Sequence, residues 1–479
     1  MLSRPVFQNI SSLDHRYSLS NPGLFAGLSA ILGEEASVGY CVKVEMALLR
    51  ALLRRLPSLF PQPAHADGLA GAASAITAEE VYAEEEKTRH NVRALVNVIK
   101  RHLPPDVAPF VHLGATSVDI LDTASALRFR DAVMTVIMPL LIDLEDQLIR
   151  RTREEAETPQ IGRTHGQHAV PLTFGFALAE YVSRLGKSIV RIEEKARGLR
   201  GKLAGAVGAY NATSLLVKDP RELEREVLAD LGIEPSEHST QLVEAEYLLQ
   251  LLLEINTAFG IIANLADDLR NLQRTEIGEV REEFSETQVG SSTMPQKRNP
   301  WNSEHVKSLW KAFCPRVLTF FMDQISEHQR DLTNSASSRF VAEFLAGFAA
   351  AVDRMGSVVR SLAVDRRRMA ENLARSGDMI FSEPAYILVA LAGHGDAHER
   401  IRSATLEAEK TGARLTDVLR KDARLWEMLV RQLALTRGLD AVAFFADPAN
   451  YRGIAPDRAR AIADTHEPIM RRLRKELTR

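Results

Sequence analysis

Cysteine is nearly missing from this 479-residue sequence: Cys41 and Cys314 are the only two, far apart and without metal-type spacing. That argues against a disulfide framework and a zinc site, and it fits a reducing, cytoplasmic setting. An excess of charge of either sign is missing as well. Lys plus Arg number 60 against 63 Asp plus Glu, a net charge of −3. A strongly basic nucleic-acid binder and an acidic disordered tail are thereby excluded, whereas a local basic pocket for one small anion is not. Long apolar runs are scarce too. The longest uncharged stretch, Tyr17 to Gly33, is interrupted by Ser, Asn and Pro, so no membrane span is expected. The segment MLSRPVFQNISSLDHRY has no apolar core of signal-peptide length. What remains is a chain that is 45% hydrophobic and long enough for about three domains with sizeable cores.

Proline and glycine divide it accordingly. Residues 1–114 read as short helices plus a Pro/Ala/Gly-rich surface loop, Pro57–Ala78. Residues 115–364 hold long segments with helical apolar spacing, at 119–157, 171–200, 241–280, 301–327 and 337–364. In 241–280, Leu249, Leu252, Ile255, Phe259, Ile262, Leu265, Leu269 and Leu272 recur every three or four residues, and no proline lies between Pro235 and Pro295. Pro315 is expected to interrupt the fourth segment. Residues 365–479 return to shorter helices. No segment shows strand periodicity, so the expected architecture is all-α: three helical domains around a central long-helix bundle. Helices this long need partners along their length, which favours packing against further copies of the chain.

Between two of the long segments lies QVGSSTMPQKRNPWNSE, residues 288–304. Gly290 permits close backbone approach, Ser291 and Ser292 supply hydroxyls, and Lys297, Arg298 and Asn299 supply donors suited to a carboxylate or phosphate. Pro300 suits a helix start, with Ser303 and Glu304 in its first turn. A solvated linker has the same general composition, but this particular string resembles the signature loop of the fumarase/aspartase superfamily. GRTHGQHAVPLTFG (162–175), HLGATSVDILDTA (112–124), RNLQRTEIGEV (270–280), LDHRYS (13–18), TRHNV (88–92), STQ (239–241), RDLTNSASSR (330–339) and PANYRGIAPDRA (448–459) resemble the adenylosuccinate lyase family, in family order over most of the chain.

The resemblance implies a C–N lyase that releases fumarate from adenylosuccinate and from a succinylated aminoimidazole carboxamide ribotide, in a homotetramer whose sites combine segments of three subunits. Such chemistry needs a general base, a clamp on the substrate carboxylates and a general acid; cationic side chains suffice for the clamp, so no metal or cofactor is called for. Residue chemistry alone does not choose between Ser291 and Ser292 as the base; the family pattern favours Ser291. It further implies His165 as the acid, Glu304 as the carboxylate paired with that histidine, and Lys297, Asn299 and Met294 of the loop around the substrate. Arg16, Tyr17, His90, Arg330, Ser335 and Arg339 match phosphate-side positions, and the four-residue spacing of Ser335 and Arg339 suits one helical face. Thr116, Ser117 and Gln241 match residues around the succinyl group, and His112 matches a second site histidine. Asp119 and Asp122 read as helix-start residues.

The sequence departs from the family pattern at Asn91, where Asp is common, at Gln329, where Glu is common, and at the bulky Trp301. Alternatives within the superfamily are 3-carboxy-cis,cis-muconate cycloisomerase and argininosuccinate lyase; the phosphate-side residues speak against a small tricarboxylate. A non-catalytic structural protein on the same scaffold would tolerate loss of Ser291, His165 or Lys297, and all three are present.

Overall fold

Helices form wherever apolar residues recur at helical spacing and few Pro or Gly intervene. The computed structural model describes residues 5–57, 71, 73–283, 293–294 and 296–477. In chain order, α1 is Glu34–Arg55, α2 Ala78–Thr88, α3 Asn91–Arg101, α4 Ser117–Ala132 and α5 Met138–Glu154. A hairpin of β1 (Pro159–Thr164) and β2 (Gln167–Thr173) leads into α6 (Phe174–Arg197) and α7 (Glu246–Leu272). Next come β3 (Val280–Arg281), α8 (Trp301–Phe313), α9 (Arg316–Met322), α10 (Val341–Ser361) and β4 (Ala363–Val364), which pairs antiparallel with β3. Shorter helices fill 366–437, and α11 (Ala455–Leu477) ends the described chain.

The largest core belongs to the bundle of α5, α6, α7, α8, α10 and α11. Its central helix is α7, whose Leu249, Leu252, Ile255, Phe259, Ile262, Leu265 and Leu269 are buried, while Leu272 at its end is only partly so. By length and composition α7 passes for a membrane span. Its environment is protein instead: Phe259 stacks edge-on against Phe348 of α10, with ring centroids 5.3 Å apart. Each such side chain contributes about 1.5–3 kcal/mol on burial. The last helix returns to the bundle and adds Ala463, Met470 and Leu473 to this core. A second core joins α1, α2, α3 and the first half of α4, and a third gathers Phe381, Leu388, Ile401, Leu419, Leu429 and Phe445.

Two sequence expectations need correction, while the 119–157 segment is helical without a break from Ser117 to Glu154, α4 running into α5 through one π-helical turn, Val133–Ile137. Pro139 lies just beyond that turn; it lacks an N–H and crowds the preceding turn, which the π-helical widening accommodates. The expected absence of strands fails at 159–173, where β1 and β2 pair antiparallel with an irregularity between Ile161 and Arg163. The helix expected from 171 therefore starts only at Phe174, where the Thr173 hydroxyl accepts from the amide of Phe176. Finally, the expected 241–280 helix runs only from Glu246 to Leu272. Pro315 interrupts its segment as expected, between α8 and α9.

Candidate active site

The candidate residues collect at the two ends of α7. At 27 residues and a rise of about 1.5 Å each, those ends lie about 40 Å apart.

Near the N-terminal end, α4 begins with a cap: the Asp119 carboxylate accepts from the amide of Thr116 at 2.8 Å. Asp119 also takes the amides of Ala204 and Gly205 and forms an ion pair with Lys202, both side chains fully buried. Asp122, one turn on, accepts from the amide of Val243 at 2.9 Å; burial pushes its carboxyl up to about 6. Thr116, Ser117 and Gln241 are thereby gathered: Asp119 caps the helix start as its sequence position implied, whereas Asp122 lies within α4 and ties it to Val243 instead. The amide of Gln241 donates to the carbonyl of Gln329, and Gln324 donates to Glu246 at the start of α7. Arg330 is therefore at this end too, in left-handed backbone, its guanidinium donating to the carbonyl of Gln324 at 2.6 Å. Ser335 and Arg339 follow before α10, Ser335 in a turn and Arg339 in the 3-10 turn Ser337–Phe340. They do not share one α-helical face, because the helix starts only at Val341. His112 completes this group, its Nδ1–H donating to Glu45 Oε1 of α1 at 2.7 Å. His90 caps α3, its Nδ1 accepting from the amide of Arg93.

At the C-terminal end of α7 lies the root of the Gly-Ser-Ser loop. Ser291 and Ser292 themselves fall outside the described residues. Gln273 donates to the carbonyl of Arg298 at 3.2 Å and accepts from the amide of Glu282 at 2.9 Å. Glu282 is buried and accepts from both the amide and side chain of Asn302 and of Ser303, at 2.6–3.0 Å. It thus caps α8, since Pro300 at the N-cap position has no capping side chain. Glu304 stands exposed in the first turn of α8, and the amide of Lys297 closes a turn onto the carbonyl of Met294, with Asn299 just beyond. Three residues before Glu282, the fully buried Glu279 accepts from Gln160, Arg163 and Asn372 and so fixes the base of the β1–β2 hairpin. His165 and Gly166 form its two-residue tip, both at positive φ, 55° and 73°. That is the twist a tight hairpin demands, and it holds the imidazole out into solvent. Among the described residues no hydrogen bond or ion pair joins His165 to Glu304.

Arg16 and Tyr17 pack beside the start of α8. Tyr17 Oη and His305 Nε2 are 2.9 Å apart. Burial raises the Tyr17 hydroxyl against the pull of Arg354 and Arg16, and burial with the same two cations lowers His305. Both shifts keep the pair neutral, with Tyr17 donating. Trp301, the unusual residue after Asn-Pro, is explained here: the Arg354 guanidinium lies 4.9 Å over its ring, His305 stacks on it, and Arg354 also donates to Asn302. A cavity of about 210 Å³ lined by Tyr17, Asn21, Asn302, Asp353 and Arg354 adjoins this cluster. A larger one, about 770 Å³, opens at the loop root between Arg151, Arg281, Arg298 and Arg360. Sequence reasoning missed Glu45, Glu279, Glu282, His305 and Arg354. Only Glu279, inside RNLQRTEIGEV, stood in a motif that carries the family resemblance.

Long helices in a bundle, a Lys-Arg-Asn segment at the foot of α8 and a histidine-tipped hairpin beside it are the architecture of a helical lyase of the fumarase/aspartase superfamily. A family model described as Lyase matches residues 67–314, more than half the chain, and one described as Adenylosuccinate lyase C-terminal matches 326–437. The chain belongs to the adenylosuccinate lyase family. It is 31% identical to the adenylosuccinate lyase of Pyrococcus abyssi over 97% of this chain and 99% of that protein. With the adenylosuccinate lyase of Archaeoglobus fulgidus it shares 31% identity, covering 95% and 98% respectively. Among solved structures, a fumarate lyase from Mesorhizobium sp. BNC1 superposes with TM-score 0.76 at 24% identity, over 91% of this chain and 97% of that one. The 3-carboxy-cis,cis-muconate lactonizing enzyme from Pseudomonas putida gives TM-score 0.77 at 24% identity, over 92% and 97%. At that identity the solved structures establish the fold alone.

Proposed function

We propose that this lyase eliminates fumarate from adenylosuccinate, giving AMP, and from succinyl-aminoimidazole carboxamide ribotide, as a cytoplasmic homotetramer of purine biosynthesis. The observation that carries this reading is the adenylosuccinate lyase match over 326–437, the stretch that holds the phosphate-side candidates Arg330, Ser335 and Arg339. A tricarboxylate such as carboxymuconate has no phosphate for them.

Ser291 removes the proton next to the substrate carboxylate, Lys297 and Asn299 grip that carboxylate as negative charge develops, and His165 protonates the departing nitrogen. Arg16, Tyr17 and His90 join Arg330, Ser335 and Arg339 around the phosphate, while His112, Thr116, Ser117 and Gln241 meet the succinyl group with Ser292 and Met294. Glu304 pairs with the histidine of a neighbouring subunit. Support for a shared site comes from the 40 Å between the two groups and from the apolar surface of α9 and its continuation: Leu318 is 62%, Met322 71% and Ile325 83% exposed.

An ultraviolet assay of fumarate release from adenylosuccinate tests the reading. Wild type turns over, and Ser291→Ala and His165→Ala each lose about 10²–10⁴-fold in kcat. Turnover of carboxymuconate without turnover of adenylosuccinate refutes the assignment, and full activity in Ser291→Ala moves the base elsewhere.

A further inference from the structure

On the buried face of α1, among Val42, Val44, Met46, Leu48, Leu49 and Leu52, stands a carboxylate with no exposed surface, Glu45. One oxygen receives Nδ1–H of His112 at 2.7 Å; the other, Oε2, is buried and has no partner. No Lys or Arg pairs with it among the described residues. An orphaned carboxylate oxygen is among the costlier things a core can hold, and a Met or Leu of similar volume would remove the cost. Glu45 therefore has no packing reason to be there, and its one contact is with an imidazole.

That imidazole is the outward half of the pair. His112 keeps 22% of its side-chain surface, stands in left-handed backbone at φ 63°, and opens the turn that its carbonyl closes with the amide of Ala115, next to Thr116. With Nδ1–H bound to Glu45, Nε2 is the nitrogen left facing out, and among the described residues nothing binds it. We infer that Glu45 is a positioning residue for the lyase reaction: it fixes the ring plane and tautomer of His112 so that Nε2 meets the succinyl part of the substrate beside Thr116, Ser117 and Gln241. The inference rests on the proposed function for its substrate, and on geometry alone for the pairing. A carboxylate behind a histidine selects which nitrogen works and saves the entropy of orienting it at each turnover.

Glu45→Met, Glu45→Gln, His112→Ala and the double variant Glu45→Gln/His112→Ala are compared with wild type in the fumarate assay and in thermal unfolding. Expected is a fall in kcat/KM of at least tenfold for Glu45→Met, with partial recovery in Glu45→Gln, whose amide oxygen still accepts from Nδ1–H. In the His112→Ala background Glu45→Gln adds nothing further. Glu45→Met unfolds no earlier than wild type, because it removes the orphaned oxygen. Full kcat/KM in Glu45→Met, or losses that multiply in the double variant, overturn the inference. So does a melting point several degrees lower, which makes Glu45 a structural residue. A wild type inert toward adenylosuccinate refutes the proposed function instead, and the unfolding comparison still decides on Glu45.

Discussion

Replacing Glu282 by alanine tests how the start of α8 is held. Its carboxylate is the shared acceptor for the amides of Asn302 and Ser303, the Asn302 side chain and the Ser303 hydroxyl, and it sits buried at the start of α8. Hydrogen bonds to a charged acceptor are worth about 1.5–3 kcal/mol each, and the negative charge gains a further fraction from the helix dipole. Alanine leaves both amides facing an emptied site that water from the neighbouring cavity can enter, so part of the loss is recovered. A net fall of about 3 kcal/mol in the local opening free energy remains, which is roughly a 100-fold faster amide exchange. Hydrogen–deuterium exchange read by mass spectrometry on peptides covering 301–305 measures it directly. Because Glu304, the proposed partner of the acid histidine, occupies the same turn, kcat/KM is expected to fall by at least about tenfold, since small misplacements in a site are costly. Global unfolding moves little, because the bundle core lies further along α8. Wild-type exchange at Asn302 and Ser303 together with wild-type turnover would refute the capping role of Glu282.

Two further substitutions probe buried charge. Lys202→Met strands Asp119, which keeps the amides of Thr116, Ala204 and Gly205 but loses the one cation paired with it among the described residues; denaturant unfolding should show a loss of about 3 kcal/mol, and a change under about 1 kcal/mol argues against the pair's importance. Glu145 of α5 has neither oxygen hydrogen-bonded, lies 3.9 Å from His466 of α11, and is raised well above the usual carboxylate range by burial, with Asp146 adding to it. The folded state therefore holds this proton more tightly than the unfolded chain, so the stability it confers is complete below the ordinary glutamate value and fades as pH rises through the raised one. Glu145→Gln should melt higher than wild type at pH 8 and lose less between pH 5 and pH 8. His466, lowered by burial and by Lys187, works in the opposite sense but is common to both proteins; equal pH slopes would refute the reading.

What the sequence could offer was candidates grouped locally in the chain. Gly290, Ser291, Ser292, Lys297 and Asn299 fall within ten residues, and Thr116 sits beside its capping Asp119. The long helices were legible because α7 repeats its leucines and isoleucines without a breaker. The hairpin was not: Pro159, Gly162 and Pro171 hide its period, and the positive φ of His165 and Gly166 is a property of the turn. Glu45 and Glu282 stayed invisible for a different reason. A glutamate inside an apolar helical run or after a short strand declares nothing until its partner, 67 or 20 residues away, is in place. The spacing of Ser335 and Arg339 misled because it presumes a helix that has not yet begun.

The separation along α7 has a consequence that activity in mixtures can read. Within one chain His112, Thr116 and Gln241 lie toward the N-terminal end of α7 and His165 and the loop root toward its C-terminal end, and α7 itself is about 40 Å long, far more than a nucleotide with a succinyl arm spans. On the proposed site, His112 then comes from one copy and His165 from another. His112→Ala and His165→Ala are each expected to be nearly inactive, yet subunits of the two variants, dissociated and reassembled together in equal amounts, bring intact residues to the same site by chance. If the two positions come from different chains, each is intact with probability one half, and about a quarter of the sites regain both histidines. If one chain supplies both, no mixture restores anything, since every chain carries one lesion. Recovery of roughly a quarter of wild-type activity on mixing, absent before dissociation, supports the shared site. Its absence, in an assembly shown by native mass spectrometry to contain both variants, refutes it.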